Sequence, residues 1–285
     1  MNIKKETFFL LDKYGIRADK SLGQNFLVNQ EAIDGIVDAS GVTKNDYVIE
    51  IGPGLGTLTN ELLQKAGFVT CIELDKRMID ILNDRFSLFD NFELINDDVL
   101  KVDLQELISI NLQKYKLQRV KIVANLPYYI TTPIIMKLLE ERLNIDTITV
   151  MIQKEVAQRL TAKPGTTDSG AITYSIYYYT EPQINLQVGK SSFIPAPKVD
   201  SSVITMKLLK EPRVQVKNEE LLFRIIKASF MQKRKTLVNG LVSGGICKSK
   251  EEAVHVLEEL GYSNTIRGEK LSLEDFARIS DFLGE

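Results

Sequence analysis

Histidine is almost missing from this chain: His255 is the only one in 285 residues. That scarcity removes histidine-based catalytic triads and histidine-rich zinc sites from consideration. It favours chemistry driven by alignment of the reactants. Cysteine is nearly as rare, with Cys71 inside an apolar run and Cys247 far along the chain beside Lys248. Neither has a partner at metal or disulfide spacing, so both read as reduced thiols of a cytoplasmic protein. No stretch approaches the roughly 18 uninterrupted apolar residues that a spanning helix needs. The first 21 residues hold only the short apolar run Phe8 to Leu11, followed at once by Asp12 and Lys13, which does not make a secretory signal.

An excess of positive charge is missing too, since the net charge is −2. For a partner carrying phosphates, however, distribution matters more than the sum. Residues 1–150 carry 17 Lys and Arg against 22 Asp and Glu, and residues 241–285 carry 5 against 9. Residues 151–240 reverse the balance with 14 against 7, a net of +7. A phosphate backbone would be gripped there, and Lys233, Arg234 and Lys235 form the densest cluster. Such a cluster is ordinarily a solvated face, and becomes a candidate contact only beside a site that takes a base.

Such a site is offered by Asn125-Leu126-Pro127-Tyr128, which ends the apolar run Val120 to Ala124. A planar exocyclic amine has its lone pair delocalised into the ring, and two hydrogen-bond acceptors can make the nitrogen pyramidal. The Asn125 side-chain oxygen and the Leu126 carbonyl could each take one N–H, leaving the lone pair aimed at an electrophile. Pro127 fixes φ and brings no N–H to compete for those acceptors. Tyr128 offers a face on which a base can stack, a contact worth about 1–3 kcal/mol. Alone, the segment is equally compatible with a strand running into an ordinary Asn-x-Pro turn.

A second motif is Glu50-Ile51-Gly52-Pro53-Gly54-Leu55-Gly56, set between the strand-like run 47–51 and the helix-like 57–64. Glycines let a backbone approach a ligand closely and take φ values that a Cβ forbids. Thr57 stands where a dinucleotide fingerprint requires its third glycine, so the pattern is G-x-G-x-G, the spacing of methyltransferases that bind S-adenosylmethionine. A glycine loop remains a weak signal alone. Glu73 ends the next apolar run, where a carboxylate can accept both ribose hydroxyls. Asp97 and Asp98 follow the run 92–95; one suits an adenine amino group and the other reads as a turn or cap.

Apolar runs at 47–51, 68–72, 92–95, 119–124 and 147–152 predict buried parallel strands. Periodic segments at 29–39, 57–65, 76–86 and 131–143 predict covering helices. Residues 183–188 and 202–209 alternate like a strand pair able to complete the sheet antiparallel. Pro212 marks a linker, and helical patterns follow at 218–231, 236–243, 250–260 and 272–283.

Seven ordered segments carry a family resemblance: Ser21 to Leu27, Glu50 to Gly56, Ile72 to Asp75, Ala124 to Ile130, Lys163 to Gly165, Phe193 to Ser201 and Lys233 to Leu237. Over essentially its whole length the chain resembles the KsgA/RsmA-type ribosomal RNA adenine dimethyltransferases. The resemblance implies an α/β fold: a Rossmann-like S-adenosylmethionine-dependent methyltransferase domain with a mostly parallel seven-stranded sheet over residues 1–210, and a small helical RNA-binding domain over 211–285. It implies helix for the tyrosine-rich stretch 172–179, which reads as strand by propensity. The implied reaction is transfer of two methyl groups to N6 of each of two adjacent adenosines in a hairpin near the 3′ end of 16S rRNA. The implied partner is the small (30S) ribosomal subunit late in assembly, and the implied protein is a cytoplasmic monomer without metal or membrane.

Carried over by position, Gln24, Asn25, Leu27, Gly52, Gly54, Gly56, Glu73, Leu74, Asp98, Val99 and Asn125 would hold the cofactor. Asn125, Leu126, Pro127, Tyr128 and Phe193 would hold the target base, Phe193 covering the face opposite Tyr128. Lys198, Lys233, Arg234 and Lys235 would grip RNA, the last three on the wall of a groove between the domains. Two segments depart from the family: Gln232-Lys233-Arg234 stands where two arginines are usual, and Gly268 where alanine is commoner. Two other readings stay in view, a 23S rRNA adenine methyltransferase of the macrolide-resistance type and an assembly checkpoint that chiefly binds the small subunit. Ala124-Asn125-Leu126 and Val199-Asp200-Ser201 resemble the small-subunit enzymes more closely.

Overall fold

The computed structural model describes residues 2–19, 22–232 and 234–284. Along the chain come α1 (Ile3–Lys13), β1 (Phe26–Leu27), α2 (Gln30–Ser40), β2 (Asp46–Ile51), α3 (Thr57–Lys65), β3 (Phe68–Ile72), α4 (Lys76–Phe86) and β4 (Phe92–Ile95). They continue as α5 (Leu104–Tyr115), β5 (Arg119–Asn125), α6 (Thr131–Glu140), β6 (Thr147–Gln153), α7 (Lys154–Leu160), α8 (Ala171–Tyr179), β7 (Thr180–Val188), β8 (Phe193–Ile194) and β9 (Ser201–Leu208). Four helices end the chain: α9 (Glu219–Met231), α10 (Leu237–Ser243), α11 (Lys250–Glu259) and α12 (Leu273–Leu283).

The large sheet has seven strands in the order β4-β3-β2-β5-β6-β9-β7. The five from β4 to β6 run parallel, and β9 lies antiparallel against β6. All residues of β2 and β3 are buried, as continuous apolar runs demand when helices cover both faces of a sheet. Ile33 and Ile36 of α2, Leu62 of α3 and Ile81 of α4 are wholly buried in one core cluster with Val48 and Val69. Strand order reverses between β2 and β5, which opens a crevice beyond the carboxyl ends of these strands. A separate two-stranded ladder pairs β1 with β8.

Two compact units emerge. One comprises the residues up to Ala157 with Gln183–Leu208, the other Gln158–Pro182 with the residues from Leu209 onward. The expected division into 1–210 and 211–285 differs from this by the segment Gln158–Pro182 and by Leu209 and Lys210 at the boundary. The reason is aromatic packing: Tyr174 and Tyr178 of α8 share a core with Leu222 and Ile225 of α9 and Phe276 of α12. The Tyr174 hydroxyl donates to the Leu271 carbonyl at 2.6 Å, and its ring meets Phe276 edge-on at 5.1 Å. The tyrosine-rich stretch is therefore helical, against its local propensity, because one helical face brings both rings to this core. Among the described residues no helix is long and apolar enough to cross a membrane.

Candidate active site

Four adjacent parallel strands deliver their carboxyl ends to one edge of the sheet. Gly52 follows β2, Glu73 follows β3, Asp97 and Asp98 follow β4, and Asn125 closes β5. All five line one pocket, together with Leu22 to Leu27 from the segment around β1. The topology thus assembles residues that lie up to about a hundred positions apart in the sequence.

Gly52, Gly54 and Gly56 all take left-handed φ, at +67°, +57° and +76°. This lets the loop turn sharply into α3, and the Gly54 N–H donates to Glu73 Oε2 at 3.0 Å. The Asp75 N–H donates to Glu73 Oε1 at 2.8 Å. Burial raises the Glu73 pKa above the ordinary carboxylate value, opposed by these two bonds. A carboxylate has about four acceptor positions, more than these backbone donors fill, so it can also accept from ligand hydroxyls. Leu74 lines the same pocket and is 48% exposed, an open apolar face beside an acidic floor. Asp97 accepts from the Asp98 N–H at 2.7 Å, and Asp98 Oδ1 accepts from the Leu100 N–H at 3.0 Å. Both therefore have turn-forming roles, and both line the pocket. An acid for a diol, a glycine loop, an apolar shelf and a further acid fit an adenosyl group.

Glu50 lies beneath the glycine loop and is 1% exposed. Thr59 Oγ1 donates to its Oε2 at 2.6 Å, and the Cys71 thiol at 3.4 Å. Burial pushes its pKa up to about 7 from 4.5. Below about pH 4.5 the carboxyl is protonated in folded and unfolded chains alike. Between about pH 4.5 and 7 only the folded state keeps the proton, so stability falls as pH rises, by on the order of 3 kcal/mol in all. Urea unfolding of the cofactor-free protein at pH 5 and pH 8 will show this decline, and Glu50→Gln will remove it while keeping the Thr59 bond. An equal decline in the variant would assign the pH dependence to other groups.

At the end of β5 the Asn125 Nδ2 donates to the Asn25 carbonyl at 3.5 Å, and among the described residues nothing donates to Oδ1, which is left as an acceptor. The Leu126 N–H donates to the Met151 carbonyl at 3.1 Å, continuing the sheet, while among the described residues nothing donates to the Leu126 carbonyl. The Pro127 carbonyl, by contrast, accepts from the Ile130 N–H at 3.2 Å and Thr131 Oγ1 at 3.0 Å. These two bonds brace the turn, and the Leu126 carbonyl follows directly on Asn125. The Tyr128 hydroxyl and Ser201 Oγ lie 2.7 Å apart, anchoring the ring to β9, and burial raises the phenol's pKa.

Of the residues assigned from the sequence, Gln24, Asn25, Leu27, Gly52, Gly54, Glu73, Leu74, Asp98, Val99, Asn125, Leu126, Pro127 and Tyr128 line the pocket. Gln24 does so with its amide already committed: Oε1 accepts from the Asp19 N–H at 2.8 Å and Nε2 donates to Asp75 at 2.7 Å. Gly56 does not line the pocket. A Cβ there would lie 2.3 Å from the Phe86 ring, so this glycine serves helix packing. Gly56→Ala will destabilise the fold by about 2–4 kcal/mol, from backbone strain and overpacking together. Thermal and urea unfolding read that loss; one below about 0.5 kcal/mol would show that the Phe86 ring moves aside freely.

Phe193 is not at the pocket either. Its ring is 3% exposed and belongs to the core cluster, where β8 pairs with β1 and places Phe193 opposite Leu27. The apolar pairing surface, not a base, covers it here. Lys198 is exposed on the loop whose ends are joined through Asp200: its Oδ1 accepts from the Lys190 N–H at 2.9 Å, and its carbonyl from the Lys154 N–H at 3.0 Å. Arg234 and Lys235 are exposed between α9 and α10, and Lys233 lies outside the described residues. Sequence reasoning passed over Asp75, which joins Gln24 to the Arg77 guanidinium at 2.6 Å, and Tyr129, which lines the pocket. Asp75 lay two residues beyond Glu73 in a matched segment, and its helix-capping position was the available signal.

The family model for ribosomal RNA adenine dimethylase matches residues 15–285. The chain belongs to this family. Ribosomal RNA small subunit methyltransferase A of Alkaliphilus metalliredigens is 46% identical over 275 residues, covering 96% of this chain and 95% of the relative. The crystal structure of a dimethyladenosine transferase from Plasmodium falciparum superposes with a TM-score of 0.71 at 27% identity, over 89% of this chain and 95% of that one. The 23S rRNA methyltransferase ErmE, at TM-score 0.68 and 24% identity over 92% of this chain and 100% of its own, shares the fold. As a ribosomal RNA adenine dimethylase, the protein is an S-adenosylmethionine-dependent enzyme. Among the described residues no group of three or more His, Cys, Asp and Glu side chains is placed to hold a metal ion.

Proposed function

We propose that this protein transfers two methyl groups from S-adenosylmethionine to N6 of each of two adjacent adenosines in the 3′-terminal hairpin of 16S rRNA. It acts on the small ribosomal subunit in the cytoplasm, as a monomer without a metal, and its helical unit, with Arg234 and Lys235, contributes to gripping the RNA. The observation that carries this reading is the Leu126 carbonyl beside Asn125 Oδ1, to which nothing donates among the described residues, two acceptors matched to the two N–H groups of an exocyclic amine.

Bound S-adenosylmethionine supplies an electrophilic methyl group on a sulfonium. Glu73 and Asp98 would hold its adenosyl part, and the loop from Gly52 to Gly54 would pass against it. Asn125 and Leu126 each accept one N–H of N6, which draws the nitrogen out of conjugation and directs its lone pair. Tyr128 presents its ring to the base, and its anchored hydroxyl limits the ring's freedom to swing away. The fixed dipoles of the Asn125 and Leu126 carbonyls stabilise the positive charge that develops on nitrogen. The excess proton then leaves to water, so no general base is required, in keeping with a chain that has a single histidine.

The test is incubation with S-adenosylmethionine and either unmethylated 30S particles or protein-free 23S rRNA, followed by mass spectrometry of nucleosides and fragments. N6,N6-dimethyladenosine in an adjacent pair from the 16S hairpin is the expected product. A single modified adenosine in 23S rRNA would move the protein to the resistance class. No methylation of either would leave subunit binding as its role.

A further inference from the structure

The turn that follows β5 carries two consecutive tyrosines, and only the first has a role in the scheme above. Tyr128 is directed to Ser201 on β9, whereas Tyr129 lies against Gly23. A Cβ at Gly23 would sit 3.2 Å from Tyr129 Cδ1 and 3.5 Å from Cε1, and Gly23 holds a left-handed φ of +60°. The ring is thus supported closely by backbone. It lines the pocket yet remains 54% exposed, and among the described residues its hydroxyl has no hydrogen-bond partner. Among the described residues its ring belongs to neither of the two apolar core clusters around the sheet and the helical unit.

A large, supported, open aromatic at the rim of a base pocket is what single-stranded RNA recognition employs, because every base has a face that stacks. The proposed substrate has adjacent adenosines, so when one enters the pocket the other is tethered at its mouth by a single phosphodiester. We infer that Tyr129 is a stacking platform for the nucleotide next to the adenosine held in the pocket. The two rings diverge from one rigid turn, as a flipped base and its neighbour must diverge from one backbone. This assignment rests on the ribosomal RNA reading and deepens it, since each adenosine of the pair in turn becomes the neighbour of the other.

Equilibrium binding of unmethylated 30S particles to wild type, Tyr129→Phe and Tyr129→Ala tests it, with S-adenosylmethionine affinity measured by calorimetry on the same proteins. Tyr129→Ala is expected to bind the particles about ten- to thirtyfold more weakly, the loss of one stacked base. Tyr129→Phe keeps the ring and should stay within about twofold of wild type, and both variants should hold S-adenosylmethionine as wild type does. Unchanged particle binding by Tyr129→Ala overturns the inference. So does a phenylalanine variant as weak as alanine, which would make the hydroxyl the contact, or a parallel loss of cofactor affinity, which would make the residue a support for the pocket. Wild-type protein that neither binds nor methylates the particles overturns the ribosomal RNA reading, and this inference with it.

Discussion

Asn125→Ala will lower the single-turnover rate of adenosine methylation by about 10²–10³-fold, the range for losing one preorganised group that stabilises the transition state. The substitution removes the Oδ1 acceptor and with it the bond from Nδ2 to the Asn25 carbonyl that orients the amide. The Leu126 carbonyl survives because it belongs to the backbone, so N6 keeps one of its two acceptors. Particle affinity should change only a few-fold, since the aromatic faces are not touched. The two transfers should differ. Unmodified adenosine has two N–H groups and loses a bond in the variant, whereas the monomethylated intermediate has one N–H and can give it to Leu126. Rapid quench with nucleoside mass spectrometry separates the steps, and the first is expected to slow more than the second. A larger loss in the second step would show that the remaining N–H belongs to Asn125. A rate within about tenfold of wild type would mean that Leu126 alone suffices, and the paired-acceptor scheme would fall.

Much of this arrangement was legible in the residues, for physical reasons that also explain what was not. Parallel strands buried on both faces must be continuous apolar runs, so β2, β3 and β5 could be bounded almost to the residue. Their order in the sheet then follows from the doubly wound topology, and that order brings Gly52, Glu73 and Asn125 together. Helices α1, α5 and α7 escaped notice, and α5 shows why: only Leu104, Ile108 and Asn111 of its twelve residues are buried, so its apolar stripe is narrow. The partition of the units escaped because Tyr174 and Tyr178 find their partners on α9 and α12, more than forty residues onward, and no local periodicity encodes a distant partner. Gly56 misled for a simpler reason. A glycine that spares a ligand and one that spares the Phe86 ring occupy the same kind of position in a G-x-G-x-G loop, and only the neighbour tells them apart. Phe193 was read from its motif as a stacking face, while its pairing position opposite Leu27 buries it.

Glu73→Gln will weaken S-adenosylmethionine binding by about 10²-fold, from the loss of charge-assisted hydrogen bonds to both ribose hydroxyls. The carboxylate has an oxygen for each of its two backbone donors, the Gly54 N–H and the Asp75 N–H. A glutamine has only one acceptor oxygen, so its NH₂ must face one of those N–H groups, donor against donor. That opposition strains the loop between Gly52 and Gly54 in addition to weakening the hold on the ribose, and the two effects can be told apart. Calorimetry with S-adenosylhomocysteine and with its 2′,3′-dideoxy analogue makes the separation. If the carboxylate acts on the diol, the variant's deficit appears with the ribose ligand and largely disappears with the dideoxy one. If it acts by shaping the loop, both ligands lose affinity equally, and the role passes from Glu73 as a ligand to Glu73 as the brace of the glycine turn. Because Glu73 is 7% exposed and its pKa is raised by burial, replacing its charge also lightens a desolvation cost. The variant should therefore fold, and its loss should appear in cofactor affinity.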